Sequence, residues 1–238
     1  VSTKHIPDSG DAERERAERI LAAARELLAA WGYKRVTIDE IARRARIGKG
    51  TVYLHWKTKQ VLFTELLRHE FGEVIGAVAE SVEKDVVIAL PGRLVREVFR
   101  QQSRRPLARA IHTGDTDVLG ALAAPASGRS VAQELGFHDL LARLVDVWRS
   151  HGLVTRTMPA ADQIHTIDAV LAGFITGGVA VPEGEAASPD HRADLLGHTV
   201  EAAVEPPVPV DEATVRAAAA EVLALLTAAR RALTSGPR

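Results

Sequence analysis

The side chains best suited to molecular recognition in this sequence are crowded between residues 32 and 60. Eight are cationic: Lys34, Arg35, Arg43, Arg44, Arg46, Lys49, Lys57 and Lys59. Two are acidic, Asp39 and Glu40. The segment therefore carries +6, and the rest of a chain whose formal net charge is −1 carries −7. Such a local excess is what a polyanion demands, because each Lys or Arg that neutralises a phosphate releases a condensed counterion. Lys can also donate to guanine O6 and N7 at the edge of a base pair. Lys49, Thr51, Tyr53 and His55 form a cluster of outward-reaching polar types, and Gly50 among them lets a backbone come close to a phosphate.

Other chemistries are poorly served. There is no cysteine, which removes disulfides, thiolate metal sites and thiol catalysis together. The nine histidines show no His-Glu-x-x-His and no ligand spacing with carboxylates. Gly48-Lys49-Gly50-Thr51 looks superficially like a phosphate loop, but it lacks the upstream glycine and follows no strand. No Gly-x-Ser-x-Gly elbow occurs. The sequence is expected to be no enzyme and to hold no cofactor and no metal. No apolar run approaches the roughly 18 residues of a membrane span, and residues 1–16 lack a signal peptide's apolar stretch. A soluble, cytoplasmic protein without a membrane partner is expected.

The cationic cluster must be positioned by helices. With only 4% aromatic residues and Val and Ile scattered rather than alternating, the fold expected is all-α. Residues 1–11 have no apolar periodicity and are expected to form a disordered arm. Ile20, Leu21, Ala24, Leu27, Leu28 and Trp31 make one stripe of a first helix from Ala12, stopped by Gly32. Thr37 opens a second helix with Glu40 at capping-box spacing, and Ile38, Ile41, Ala42 and Ala45 give it a buried face. After a break at residues 46–48, a two-turn helix runs from Lys49 to about Trp56, with Val52 and Trp56 turned toward its supports. Thr58 caps a fourth helix running to about Glu83. Helix, tight turn and helix make a helix-turn-helix, whose second helix presents its N-terminal residues to base edges in the major groove.

These residues carry a specific resemblance. Trp31-Gly32-Tyr33, Val36 to Ala42 (Val-Thr-Ile-Asp-Glu-Ile-Ala), Gly48 to Tyr53 (Gly-Lys-Gly-Thr-Val-Tyr) and His55 to Lys59 (His-Trp-Lys-Thr-Lys), in that order and spacing, make the stretch Ala23–Leu66 resemble the N-terminal domain of the TetR family of bacterial transcriptional regulators. The resemblance implies that Thr37 contacts a phosphate through its hydroxyl and backbone NH. It implies that Lys49, Gly50 and Thr51 stand at the start of the recognition helix, that Tyr53 and His55 meet phosphates and nearby bases, and that Lys59 holds a phosphate. Arg46 stands where the family commonly has glycine. With φ > 0 it costs about 1 kcal/mol relative to glycine, and its charge adds a phosphate contact. Trp56 replaces a common phenylalanine as the aromatic plug.

The remaining residues match the family only in length and helicity. Helices are expected over about 91–104, 106–111, 117–123, 137–150, 160–179, 191–204 and 212–233, with loops at 124–130 and 181–190. Residues 160–179 are nearly uncharged, and Val215, Ala219, Val222, Leu226 and Ala229 form a 4-3 seam on the last helix. Helices from 160–179 and 191–233 are therefore expected to build a two-fold, four-helix interface between subunits. Phe99, His112, Phe137, Trp148, His165 and Phe174 are candidates for a ligand pocket between these helices. The expectation is a three-helix DNA-binding domain over 12–58 and a helical ligand-binding and dimerisation domain over 59–238. By resemblance the protein is a homodimeric repressor, released from double-stranded operator DNA by a small-molecule effector. The alternative is a DNA-binding regulator without such an effector, constitutive or controlled by a protein partner.

Overall fold

The computed structural model describes residues 9–123, 131–177, 188–208 and 210–235, and among them there is no strand. Helix α1 spans Ser9–Arg35, so of the arm expected over residues 1–11 only Ser9–Asp11 are described, and they are helical. Gly32 interrupts α1 with φ 70° and ψ 163°. A Cβ there would come within 2.5 Å of the Asp117 carbonyl oxygen, so glycine is required both by the backbone and by the close approach. Helices α2 (Ile38–Ala45) and α3 (Lys49–His55) follow, then the 26-residue α4 (Lys59–Lys84). Beyond it lie α5 (Pro91–Ser103), α6 (Pro106–Thr113), α7 (Thr116–Leu119), α8 (Val131–Glu134), α9 (Phe137–Ser150), α10 (Ala160–Thr176), α11 (Pro189–Val204) and α12 (Glu212–Thr234). Pro at the first position starts α5, α6 and α11, where its missing NH leaves no bond unmade. The single turn α8 carries no periodic signal, and sequence reading missed it. The loops expected at 124–130 and 181–187 lie outside the described residues.

Two apolar clusters organise the chain. The first gathers Ile20, Ala24 and Leu28 of α1, Ile41 of α2, Val52 and Trp56 around α3, and Leu62, Phe63, Leu66 and Leu67 of α4. Leu107 and Ile111 of α6, with Leu119, Leu122 and Val131, close it from the far side. This core thus draws on α4 as far as Leu67, past the residue-58 boundary read from sequence. The second cluster starts one turn later on the same helix, at Phe71, Ile75, Val78 and Val82. It packs there against α5, α9, α10, α11 and α12. One continuous helix therefore belongs to both cores. At the junction the buried Glu70 carboxylate accepts from the guanidinium of Arg25 on α1, which ties the first helix to the fourth.

One expectation about the far end needs correction. The 4-3 seam of α12 is not free: Val215, Ala219, Val222 and Leu226 are buried inside the subunit, where α12 packs along α4. Conversely α10, nearly uncharged and expected to face a second subunit, buries only Gln163, Ile167, Leu171 and Ile175 within its own. Its other side, with Ala161, His165, Ala169 and Gly173, is exposed.

Candidate nucleic-acid interface

The frame of the site is a capping box. Thr37 is extended (φ −118°, ψ 157°); its Oγ1 accepts from the Glu40 NH at 3.3 Å, and its own NH donates to Glu40 Oε2 at 3.0 Å. This closes the start of α2 and aims its charged face outward while Ile41 stays in the core. At the other end Arg46 adopts the left-handed region (φ 57°, ψ 47°), the one non-glycine residue among those described to do so. Its NH closes the turn on Ala42 and Arg43 carbonyls. The strain anticipated from sequence is present, at about 1 kcal/mol. The Arg46 side chain is exposed.

That turn delivers α3. Val52 is fully buried and Trp56 nearly so, which pins one side of the helix into the first core, beside α2. The opposite side is bare. Gly48, Lys49 and Gly50 are exposed at the N-terminus, Thr51 is half-buried, and Tyr53 is exposed. His55 is half-buried with its ring 5.3 Å from that of Trp56. A Cβ on Gly50 would meet nothing within 4 Å. The free protein therefore gives no steric reason for glycine there; only a body approaching from outside could. Leu54 is 86% exposed. Sequence reading passed over it, although its place midway between buried Val52 and Trp56 puts it on the outer side of a 3.6-residue helix.

Three of the expected contacts, and one further cation of the segment, are engaged elsewhere. The Thr37 hydroxyl and NH are both given to Glu40, the hydroxyl at 2.9 Å. Lys59 Nζ donates to the Tyr33 carbonyl oxygen at 2.5 Å and lies 4.2 Å above the Tyr33 ring. Burial lowers its pKa, against the pull of Glu40. In this state Lys59 caps the end of α1 rather than facing outward. Lys49 Nζ donates to Asp39 Oδ2 at 2.8 Å, and that bond, with the carboxylate's charge, holds the ammonium above the usual lysine range. Arg44 pairs with Glu26.

The expected pocket residues do not come together. Phe137 and Trp148 line an apolar cavity of about 50 Å³ with Phe71, Val78, Leu94 and Leu171. Trp148 donates its indole NH to the Ala89 carbonyl at 2.8 Å, which leaves this wall no free donor. Phe99 and Phe174 meet edge to face, centroids 6.4 Å apart, beside a separate depression near Arg192. His112 packs edge-on to Phe137 at 5.1 Å; burial lowers its pKa, with Asp168 opposing. His165 is exposed on α10 and belongs to neither hollow. Two of the six thus share the cavity and the others do not, because Phe, Trp and His on amphipathic helices signal burial without saying which neighbour they meet. No group of three or more His, Asp and Glu suited to a metal occurs among the described residues, and no described helix is long and apolar enough to cross a membrane.

Comparison with known proteins agrees with this geometry. Residues 20–66 match the family model described as bacterial regulatory proteins, tetR family. Over 69 residues the chain is 36% identical to the HTH-type transcriptional regulator YhgD of Bacillus subtilis; the match spans 29% of this chain and only 36% of that relative. It is 27% identical over 199 residues to the HTH-type transcriptional repressor KstR of Rhodococcus jostii, covering 74% of this chain and 90% of the relative. A transcriptional regulator of Aquifex aeolicus shares the fold, with a TM-score of 0.58 at 22% identity over 79% of this chain and 99% of that one. The capping box, the left-handed turn and the bare α3 thus all lie within the segment, residues 20–66, that matches the tetR family of bacterial regulatory proteins, and the helical body behind them shares the fold of such regulators.

Proposed function

We propose that the protein is a homodimeric repressor that binds a near-palindromic double-stranded operator through α2 and α3. The observation that carries this reading is the outer side of α3: a cationic, glycine-opened helix start with Tyr53 and Leu54 uncovered and an apolar back fixed in the core. Lys49 and Thr51 then face base edges, Leu54 suits a thymine methyl, and Tyr53, His55 and Arg46 reach the backbone. Thr37 and Lys59 join the phosphate contacts by exchanging Glu40 and the Tyr33 carbonyl for DNA. Repression is the activity named for KstR, and it is carried over here as part of the proposal.

The dimer is supported by the outward sides of α10 and α11, which pack side by side. Together they expose Ala161, Ala169 and Gly173 with Leu195, Thr199 and Ala202. Small residues there let two pairs of helices approach closely. Binding to successive major grooves would require a two-fold axis at this face to set the two α3 helices roughly 34–36 Å apart, one turn of B-DNA.

An apolar effector is supported by the cavity, whose lining includes Phe71, Val74, Ile75 and Val78 of α4, the helix that also builds the first core. A ligand that widens the cavity shifts α4 and so the helix-turn-helix, with a coupling of about 1–3 kcal/mol. The second reading, a regulator with no small-molecule effector, draws on the small size of that cavity. Selection of bound duplexes from a random pool, followed by titration at several salt concentrations, tests the main proposal. A palindromic consensus and a steep salt slope are expected; failure to enrich any sequence would refute it. Sedimentation of a monomer at micromolar concentration would remove the dimer.

A further inference from the structure

The two acids inside the cationic segment have different employment. Glu40 is held by its bonds to Thr37. Asp39 makes no capping bond; its carboxylate reaches from α2 to the first residue of α3, where Oδ2 accepts from Lys49 Nζ at 2.8 Å. Both side chains stay in solvent, 66% and 50% exposed. An ion pair so exposed adds little to stability. What it does fix is a donor and an acceptor side by side on the surface offered to DNA.

We propose that Asp39 and Lys49 act as one reading head for a single G·C base pair in each half-site. The proposal rests on the DNA-binding reading above. At the major-groove edge of a G·C pair, guanine O6 accepts and the cytosine N4 amino group donates. They face one another across a hydrogen bond of about 2.9 Å. Nζ and Oδ2 at 2.8 Å present the complementary order at the same spacing. The ammonium donates to O6, with N7 in reach of a second proton, and the groove-side N4 proton goes to the carboxylate. An A·T pair also offers an acceptor and a donor, thymine O4 and adenine N6. There, however, adenine N7 lies beside the carboxylate and repels it, and the thymine methyl crowds the ammonium. The pairing also discourages contact with the wrong surface. A Lys49 already neutralised by Asp39 gains less from phosphates, and the carboxylate is repelled by them, so non-specific binding is weakened.

The test uses the full chain and three variants, Asp39→Asn, Asp39→Ala and Lys49→Ala, each checked for an unchanged melting curve. Each protein is titrated against the duplex selected by the wild type and against the same duplex with each G·C pair of the half-site changed in turn to A·T. The wild type is expected to lose about tenfold or more at one such position. Asp39→Asn and Asp39→Ala are expected to lose that preference, to bind unrelated duplex several-fold more tightly, and to steepen the salt slope by about one. Lys49→Ala loses the preference without the gain on unrelated DNA. Retention of the full G·C preference by both Asp39 variants would overturn the proposal while leaving the DNA-binding reading intact. A wild type that enriches no sequence would instead overturn the DNA-binding reading, and the reading head with it.

Discussion

The helix-turn-helix and the cavity-bearing body place similar residue types in opposite situations. On the outer side of α3 large side chains stand in solvent: Tyr53 is 44% exposed, Leu54 more so, and a side chain added at Gly50 would enter open space. In the body Trp148 is fully buried with its indole NH bonded to Ala89, and the cavity beside it is small and wholly apolar in lining. Room lies outside the first region and is scarce inside the second. Substitutions in the two should therefore separate, stability responding in the body and DNA affinity on α3.

The largest effect is expected in the body. Trp148→Ala removes a buried indole and leaves the Ala89 carbonyl without its donor, and should lower stability by about 3–5 kcal/mol, read by denaturant unfolding. A melting curve close to wild type would show that the body is looser than its packing indicates. On α3, Lys49→Ala should weaken binding to the selected duplex roughly 5- to 150-fold and relax base preference, with stability nearly unchanged. Equal affinity would remove Lys49 from the interface.

Smaller effects sharpen the contrast. Arg46→Gly relieves a left-handed arginine and should stabilise the fold by about 1 kcal/mol, while losing one cation near DNA and so flattening the salt slope by about one. Thermal melting and a salt titration check the two halves separately. The smallest effect is a pH dependence in the body. Burial holds the His112 pKa below its usual value, so the unfolded chain takes the proton first. The contribution of His112 is then fully present above its unfolded pKa of about 6.5 and declines as pH falls from there through its lower folded pKa. His112→Phe should flatten that part of the stability profile, followed by melting between pH 7 and 5.

The same asymmetry governs what could be read from sequence. The helix-turn-helix was largely legible because its signals are local: Thr37 and Glu40 three apart make the capping box, Gly32 breaks α1 and residues 46–48 separate α2 from α3, and Val52 and Trp56 mark the buried side of α3. What escaped there was pairwise. Asp39 and Lys49 are ten residues apart, and their contact depends on the turn between two helices. In the body the helices were visible from Pro91, Pro106 and the apolar stripes of α9 and α12. Their partners were not. The α12 seam repeats equally well for a second subunit or for α4, and it faces α4. Phe99, His165 and Phe174 share composition with Trp148 but not its cavity. Periodicity gives the side of a helix that is buried; the element that buries it is decided by topology.

The central claim is that the open space over the start of α3 is reserved for DNA. Gly50→Leu tests it most directly, with a melting temperature and a titration of the selected duplex on the same preparation. The side chain enters space that is empty in the free protein and replaces a helical glycine, so stability should be unchanged or raised by up to about 1 kcal/mol. Affinity for the duplex should fall at least tenfold. A variant as stable as the wild type that still binds the duplex with undiminished affinity would contradict the account.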